Sequence, residues 1–177
     1  MGIAITFGLI ILAMIYTFGE VSGAHFNPAV TIAFSIAGLL PRKQVLYYLI
    51  AQLIGAFIAT GLLKLLFPAN ETLGATLPAG GQMQSAVLEF VLTFILMLVI
   101  LFTSQGSKEV GTMAGLAIGG TILLEAMFAG PVSGASMNPA RSISPAVISG
   151  HIETLWLYII SPISGAAFAT LIWRILK

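Results

Sequence analysis

The tripeptide Asn-Pro-Ala occurs twice, each time inside the same longer phrase. Residues 21–30 read Val-Ser-Gly-Ala-His-Phe-Asn-Pro-Ala-Val, and residues 132–141 read Val-Ser-Gly-Ala-Ser-Met-Asn-Pro-Ala-Arg. Seven of ten positions match at a fixed offset of 111 residues. The surroundings make this repeat informative. Of the 177 residues, 58% are hydrophobic and 7% are charged, and the mean hydropathy is +1.06. A soluble domain carries about 25% charge, and a chain with so little cannot cover a surface facing water. It reads as an integral, multi-pass, all-α membrane protein. In such a chain a duplicated polar break marks two related halves, each interrupted once at membrane depth.

Five stretches are long and apolar enough to cross a hydrocarbon layer of about 30 Å: 1–18, 43–66, 85–104, 110–129 and 154–176. None alternates as a strand would, so helices are the expected spanning form. Residues 1–18 lack a basic n-region and a cleavage site, and read as a span rather than a secretory signal. Two shorter apolar pieces, 28–38 and 139–148, follow the Asn-Pro-Ala motifs. Ten helical residues rise roughly 15 Å, half a bilayer. These pieces can enter a membrane but not cross it. The chain reads as one membrane domain, with a first half at 1–66, a linker at 67–84 and a second half at 85–177.

Basic residues orient the chain. With residues 19–42 on the cytoplasmic side, alternation puts Arg42, Lys43, Lys108, Arg174 and Lys177 inside and only Lys64 outside. A cytoplasmic C-terminus follows. Three spans separate the two motifs, so the motifs enter from opposite sides. That is an inverted repeat, whose functional site is expected where the halves meet near the midplane. The 111-residue offset maps 1–18 onto 112–129 and 43–66 onto 154–177, but sends 85–104 to positions before Met1. The first half therefore lacks one helix that the second half has, and a truncated or asymmetric plan is expected. Small residues four apart (Ala51, Gly55, Ala59; Gly115, Gly119; Ser161, Gly165, Ala169) suit close helix packing in lipid.

Asn followed by Pro is a helix start. The Asn side chain caps, and Pro at the first helical position loses no needed hydrogen bond. Asn27-Pro28 and Asn138-Pro139 should each open a half-helix whose N-terminus carries about half a positive charge. The preceding loops, Ser22-Gly23-Ala24 and Ser133-Gly134-Ala135, are irregular. Irregular backbone at that depth must line a cavity or be buried in protein. Arg141 follows directly, and a charge inside a membrane marks a pathway by default. Its bland alternative is a structural ion pair with Glu125 or Glu153.

The phrases Ser-Gly-Ala-His-Phe-Asn-Pro-Ala-Val-Thr (22–31) and Ser-Gly-Ala-Ser-Met-Asn-Pro-Ala-Arg-Ser (133–142) closely resemble those of the aquaporin, or major intrinsic protein, family. The resemblance extends over the whole chain, from the family's second helix to its sixth. It implies a passive channel, one pore per subunit of a homotetramer, without a cofactor. The permeants would be water and small uncharged solutes, and the immediate partner membrane lipid in a plasma or inner membrane. It maps the paired pore asparagines to Asn27 and Asn138, and the selectivity constriction to Phe7, Ala126, Ala135 and Arg141. In the family strict water channels carry His at the position of Ala126, and glycerol facilitators carry two aromatics in the constriction. One aromatic with two alanines is most similar to nodulin-like intrinsic proteins and their bacterial relatives, which implies passage of glycerol, urea or metalloid acids. Ser142 and Ala146 instead follow the water-channel pattern, so a strict water channel stays open as the alternative.

Four further readings complete the expectation. Glu89 lies within an apolar span, and the resemblance gives it a bracing role on a half-helix loop. Its repeat partner would fall on the helix the first half lacks. His25 would line the pore or pin its own loop, and Gly134 would line or support it. Asn70-Glu71-Thr72 is formally a glycosylation sequon. Other functional classes find little support. There is no Cys, no Asp and no basic patch, which disfavours thiolate metal sites and nucleic-acid binding. Ser136 with His25 could suggest an intramembrane protease, but the flanking sequence lacks the usual second glycine. A secondary transporter would need a coupling acid, for which Glu89 is the one clear candidate.

Overall fold

A computed structural model describes Met1–Lys177, and the chain is helical with no strands. Its helices are α1 (Gly2–Ser22), α2 (Pro28–Ala37), α3 (Arg42–Leu66), α4 (Gln82–Ser104), α5 (Lys108–Thr112), α6 (Ala114–Ser133), α7 (Pro139–Ser149) and α8 (Leu155–Leu176). The five long helices have 20 to 25 residues, and each is apolar enough to cross a membrane. The chain is an integral, multi-pass membrane protein.

Two expected spans end elsewhere than hydropathy suggests. The stretch 110–129 is divided: residues 108–112 form the separate α5, capped by Ser107, and the crossing helix runs Ala114–Ser133. Likewise α1 continues past residue 18 to Ser22. Backbone chemistry sets both ends. Gly23 (φ 67°) and Gly134 (φ 85°) take the left-handed conformation and donate their N–H groups to Gly19 O and Gly130 O. Glycine accepts that conformation without a Cβ penalty. Hydropathy falls where the residues become less apolar, whereas the helix stops only at the glycine. With these limits the repeat sharpens. Shifting α1, α2 and α3 by 111 gives 113–133, 139–148 and 153–177, within one or two residues of α6, α7 and α8.

The two halves pack reciprocally. Helices α1 and α6 run antiparallel and cross at Gly8 and Gly119, which are each other's repeat equivalents. A Cβ on Gly8 would lie 2.5 Å from Gly119 O, and one on Gly119 would lie 2.6 Å from Gly8 O. Half-helix α2 packs on α8, and its equivalent α7 packs on α3. Ser144 on α7 donates to Ala56 O (2.8 Å) and meets Thr60 Oγ1 (2.7 Å) on α3, while Arg174 on α8 donates to Ile36 O on α2. Thus α7 and α2 point their C-termini to opposite faces of the bundle.

The main core lies around α4, which packs on α6 and, in parallel, on α8. Leu92, Leu96, Met97, Leu101, Ala166 and Ala169 are fully or nearly fully buried there. Gly165 admits the α4 backbone so closely that a Cβ would collide with Phe90 O. No helix of this chain does for α1 and α3 what α4 does for α6 and α8. Pro162, Ala166 and Thr170 of α8 are buried, but their α3 equivalents Ala51, Gly55 and Ala59 are exposed.

These contacts separate glycines that sequence treats alike. Gly119→Val should destabilise the protein by about 1–3 kcal/mol through overpacking at the α1–α6 crossing. Gly55→Val, with nothing within 4 Å of its Cβ position, should leave the thermal midpoint in detergent nearly unchanged.

Candidate functional site

Each half-helix is built by its first two residues. Asn27 Oδ1 accepts from Ala29 N (2.9 Å), and Asn138 Oδ1 accepts from Ala140 N (3.0 Å) and Arg141 N (3.3 Å). Pro28 and Pro139 occupy the first helical turn, where a missing N–H is harmless. The same two amides join the halves. Asn27 Nδ2 donates to Met137 O (2.6 Å), and Asn138 Nδ2 donates to Phe26 O (2.9 Å). Each asparagine therefore caps its own helix and ties the loop of the other. An amide nitrogen carries two N–H groups and one is used here, which leaves one per asparagine for the cavity that both line.

The loops before the asparagines are strained and braced. Ala24 (φ 52°), Ala135 (φ 43°) and Met137 (φ 52°) are non-glycine residues with positive φ, a conformation that costs roughly 1–2 kcal/mol each. In the second half Glu89 holds it. Its Oε1 accepts from Ser136 N (2.8 Å) and Ser133 Oγ (2.7 Å), and its Oε2 accepts from Met137 N (2.8 Å). Tyr158 adds a bond to Ser133 O at 2.6 Å. The first half uses different chemistry. Gln52 on α3 donates to His25 O and to Thr31 Oγ1 (2.8 Å). His25 stacks on Phe34, with ring centroids 4.5 Å apart, and its ring faces the cavity beside Tyr48. The motif-free helical position of Gln52 gives no signal in the sequence of what it reaches, and the Tyr158-Ile159 pair, which matches neither the water-channel nor the glycerol-facilitator pattern, gives none of the bond to Ser133.

A cavity of about 850 Å³ runs from the asparagines toward the face that carries α5, lined by His25, Asn27, Val30, Ile118, Met137 and Asn138 among others. A second cavity, about 260 Å³, opens on the other side and is lined by Ala4, Ala126, Gly134 and Ala135. Phe7 and Arg141 border both. The guanidinium carbon of Arg141 lies 5.5 Å from the Phe7 ring centroid. Arg141 Nη1 donates to Gly74 O at 2.6 Å. The carboxylate oxygens of Glu125 have no hydrogen-bond partner, so Glu125 does not pair with Arg141, and Glu153 is exposed. Residues 67–84, expected as a linker, thus supply the group that holds the arginine. Ser136 Oγ bonds Asn138 O and Ser142 Oγ, and does not bond His25.

Opposed half-helices tied amide to backbone, inside a bundle of apolar spans, define an inverted-repeat membrane protein with a re-entrant core. The chain matches the major intrinsic protein family over residues 1–173 and belongs to that family. It is 48% identical to "Aquaporin NIP1-1" of Oryza sativa subsp. japonica and 46% identical to "Nodulin-26" of Glycine max, over 99% of its own length in each case. It spans 62% and 65%, respectively, of those relatives' lengths. The fold is shared with the aquaglyceroporin from Plasmodium falciparum, with a TM-score of 0.84 at 23% identity over 96% of this chain and 79% of that one.

Glu89→Gln replaces one oxygen with an amide group that confronts an N–H of the loop. A loss of about 2–3 kcal/mol is expected, the scale of a hydrogen bond to a charged group whose partners stay buried. Thermal unfolding of the purified protein in detergent measures it.

Proposed function

We propose that this protein is a passive channel for water and small uncharged solutes such as glycerol, urea or metalloid acids, and that it excludes ions and protons. What carries the reading is the pair of asparagine amides, each with one N–H left over, facing one cavity from two inverted helix ends. A permeating water accepts from both amides and donates to neither. Its neighbours then point away in both directions, which interrupts a proton wire. His25 lines the wider vestibule, and the loop around Gly134 lines the other side.

Cations are opposed by charge. Two helix ends of about half a charge each, met at roughly 5 Å with an effective dielectric near 20, repel a monovalent cation by about 3 kcal/mol. Arg141 adds a full charge and a bilayer adds desolvation, so an ion crosses far more slowly than water.

Solute range is a matter of width. Phe7, Ala126, Ala135 and Arg141 form the constriction in this reading. Two alanine methyls leave room that an imidazole would fill, and Phe7 makes one wall apolar. That combination suits a three-carbon polyol, whose carbon edge lies on Phe7 while its hydroxyls accept from Arg141. The similarity to nodulin-26-like relatives supports the same solute class. A strict water channel is the second reading, favoured by Ser142 and Ala146. Coupled transport has less support, because the Glu89 carboxylate is taken up by Ser133, Ser136 and Met137 and it lines neither cavity. The membrane is a plasma or inner membrane with the C-terminus cytoplasmic, and the assembly is a homotetramer of one pore per subunit embedded in lipid.

Stopped-flow light scattering on proteoliposomes tests the proposal. Shrinkage under a non-permeant osmolyte should be faster than in empty liposomes, and re-swelling should follow in glycerol. Shrinkage no faster than in empty liposomes would end the channel reading, and water flux without re-swelling would leave the strict water channel. Ala126→His should cut glycerol flux about ten-fold or more while reducing water flux less, because it narrows the pore without removing its donors.

A further inference from the structure

Arg141 is held by a carbonyl whose direction is not set by Arg141's own helix. Gly74 lies in the connection between α3 and α4, 67 residues away in sequence. Thr72 O accepts from Ala75 N at 2.9 Å, closing a turn over residues 72–75. Its two central residues both have positive φ, Leu73 at 51° and Gly74 at 81°. That is the signature of a type I′ turn, which favours Asn, Asp or Gly at both places. Glycine meets the demand at 74. Leucine does not at 73, where the left-handed conformation is strained.

The restraint on Leu73 comes from Asn70. Asn70 Oδ1 accepts from Leu73 N at 2.7 Å and from Thr72 N at 3.1 Å, with Thr72 Oγ1 at 3.4 Å. Leu73 is buried, 4% exposed, so its side chain anchors the turn from below. Two further bonds dock the segment: Thr76 Oγ1 to Ser142 Oγ at 2.7 Å, and Ala79 N to Val132 O at 2.9 Å. Those bonds fix where the segment sits. Asn70 holds the Thr72 and Leu73 N–H groups at the entry of the turn, and the Ala75 N–H bond to Thr72 O holds the Gly74–Ala75 peptide, so the conformation Asn70 supports sets where the Gly74 carbonyl points.

We propose that Asn70 is a positioning residue for the Arg141 constriction. Its side-chain oxygen holds Leu73 and Gly74 left-handed, which aims the Gly74 carbonyl at Arg141 Nη1 and keeps the guanidinium against the Phe7 wall. This rests on the reading of Phe7, Ala126, Ala135 and Arg141 as the constriction. It assigns part of the solute selectivity to a surface residue that lines neither cavity. Asn70 itself is exposed, so its replacement removes an acceptor without opening the core.

The test uses the full chain with three replacements. Asn70→Ala removes the acceptor. Asn70→Gln keeps the amide but sets it one methylene too far to bridge both N–H groups. Asn70→Asp keeps the acceptor in place. The first readout is the side-chain nitrogen resonances of 15N-labelled arginine in detergent or lipid, with Arg141→Lys identifying the relevant set. The wild type and Asn70→Asp should show a restrained, hydrogen-bonded Arg141 guanidinium, and Asn70→Ala and Asn70→Gln should show it rotating freely. The second readout is the ratio of glycerol to water permeability, which should rise roughly three-fold or more in the Ala and Gln variants and stay near wild type in Asn70→Asp. A restrained guanidinium in Asn70→Ala and Asn70→Gln overturns the proposal, as does an Asn70→Asp protein that behaves like Asn70→Ala. If the wild type conducts nothing, the channel reading fails, and the arginine resonances still decide the role of Asn70.

Discussion

Two crossed hydrogen bonds, Asn27 Nδ2 to Met137 O and Asn138 Nδ2 to Phe26 O, are the constraint on which the rest of this structure depends. Each half-helix is too short to cross a membrane and begins with unpaired N–H groups at its interior end. Alone, either would leave polar backbone in hydrocarbon at a cost of several kcal/mol per group. Meeting end to end, the two together span about the thickness of the hydrocarbon layer. Their caps satisfy the first N–H groups and their amides satisfy carbonyls of the opposite loop. The five long helices act as a frame that brings the two ends into register, and the Gly8–Gly119 contact sets how closely that frame can close.

Once the ends meet, the cavity's chemistry is largely decided. The amide oxygens face the helices they cap, so the nitrogens are what remains for the cavity. Helix dipoles add positive potential at the same place. In the proposed channel this arrangement would favour a neutral permeant that can accept hydrogen bonds and disfavour a cation, whichever residues fill the constriction. Those residues act on a different variable. In the proposed channel Ala126 and Ala135 would affect width, Phe7 would give one apolar wall, and Arg141 would supply donors. On the proposed function, charge exclusion and size exclusion would thus come from separate parts of the chain.

The halves are related in sequence but are not braced alike. Glu89 ties Ser136 and Met137 with a carboxylate, whereas Gln52 ties His25 O and Thr31 with an amide. At the equivalent positions Thr31 and Ser142, the first is bound from α3 and the second from the segment before α4. The backbone demands symmetry, because two inverted half-helices need the same caps and the same left-handed Ser-Gly-Ala exits. The supports need only supply acceptors or donors within reach, and they have diverged.

Much of this was legible in the residues. Composition required a membrane protein, and length allowed five crossings. The duplicated Asn-Pro with an odd number of spans between required inverted half-helices. These conclusions follow from local rules: hydropathy over a window, a capping side chain, a proline at a helix start. The offset of 111 even located the crossing glycines, though nothing in the chain said that Gly8 and Gly119 touch. What local rules could not supply was any contact between residues far apart. Helices α1 and α6 run four residues past the hydropathy limits near 18 and 129, because hydropathy does not register a left-handed glycine. The stretch 67–84 reads as a linker because its polar residues have no periodicity, yet Gly74 and Thr76 reach α7. The crossing of the asparagine amides and the restraint on Arg141 arise only when the helices pack, since a hydrogen bond is made by distance and angle and those exist only between elements already in place.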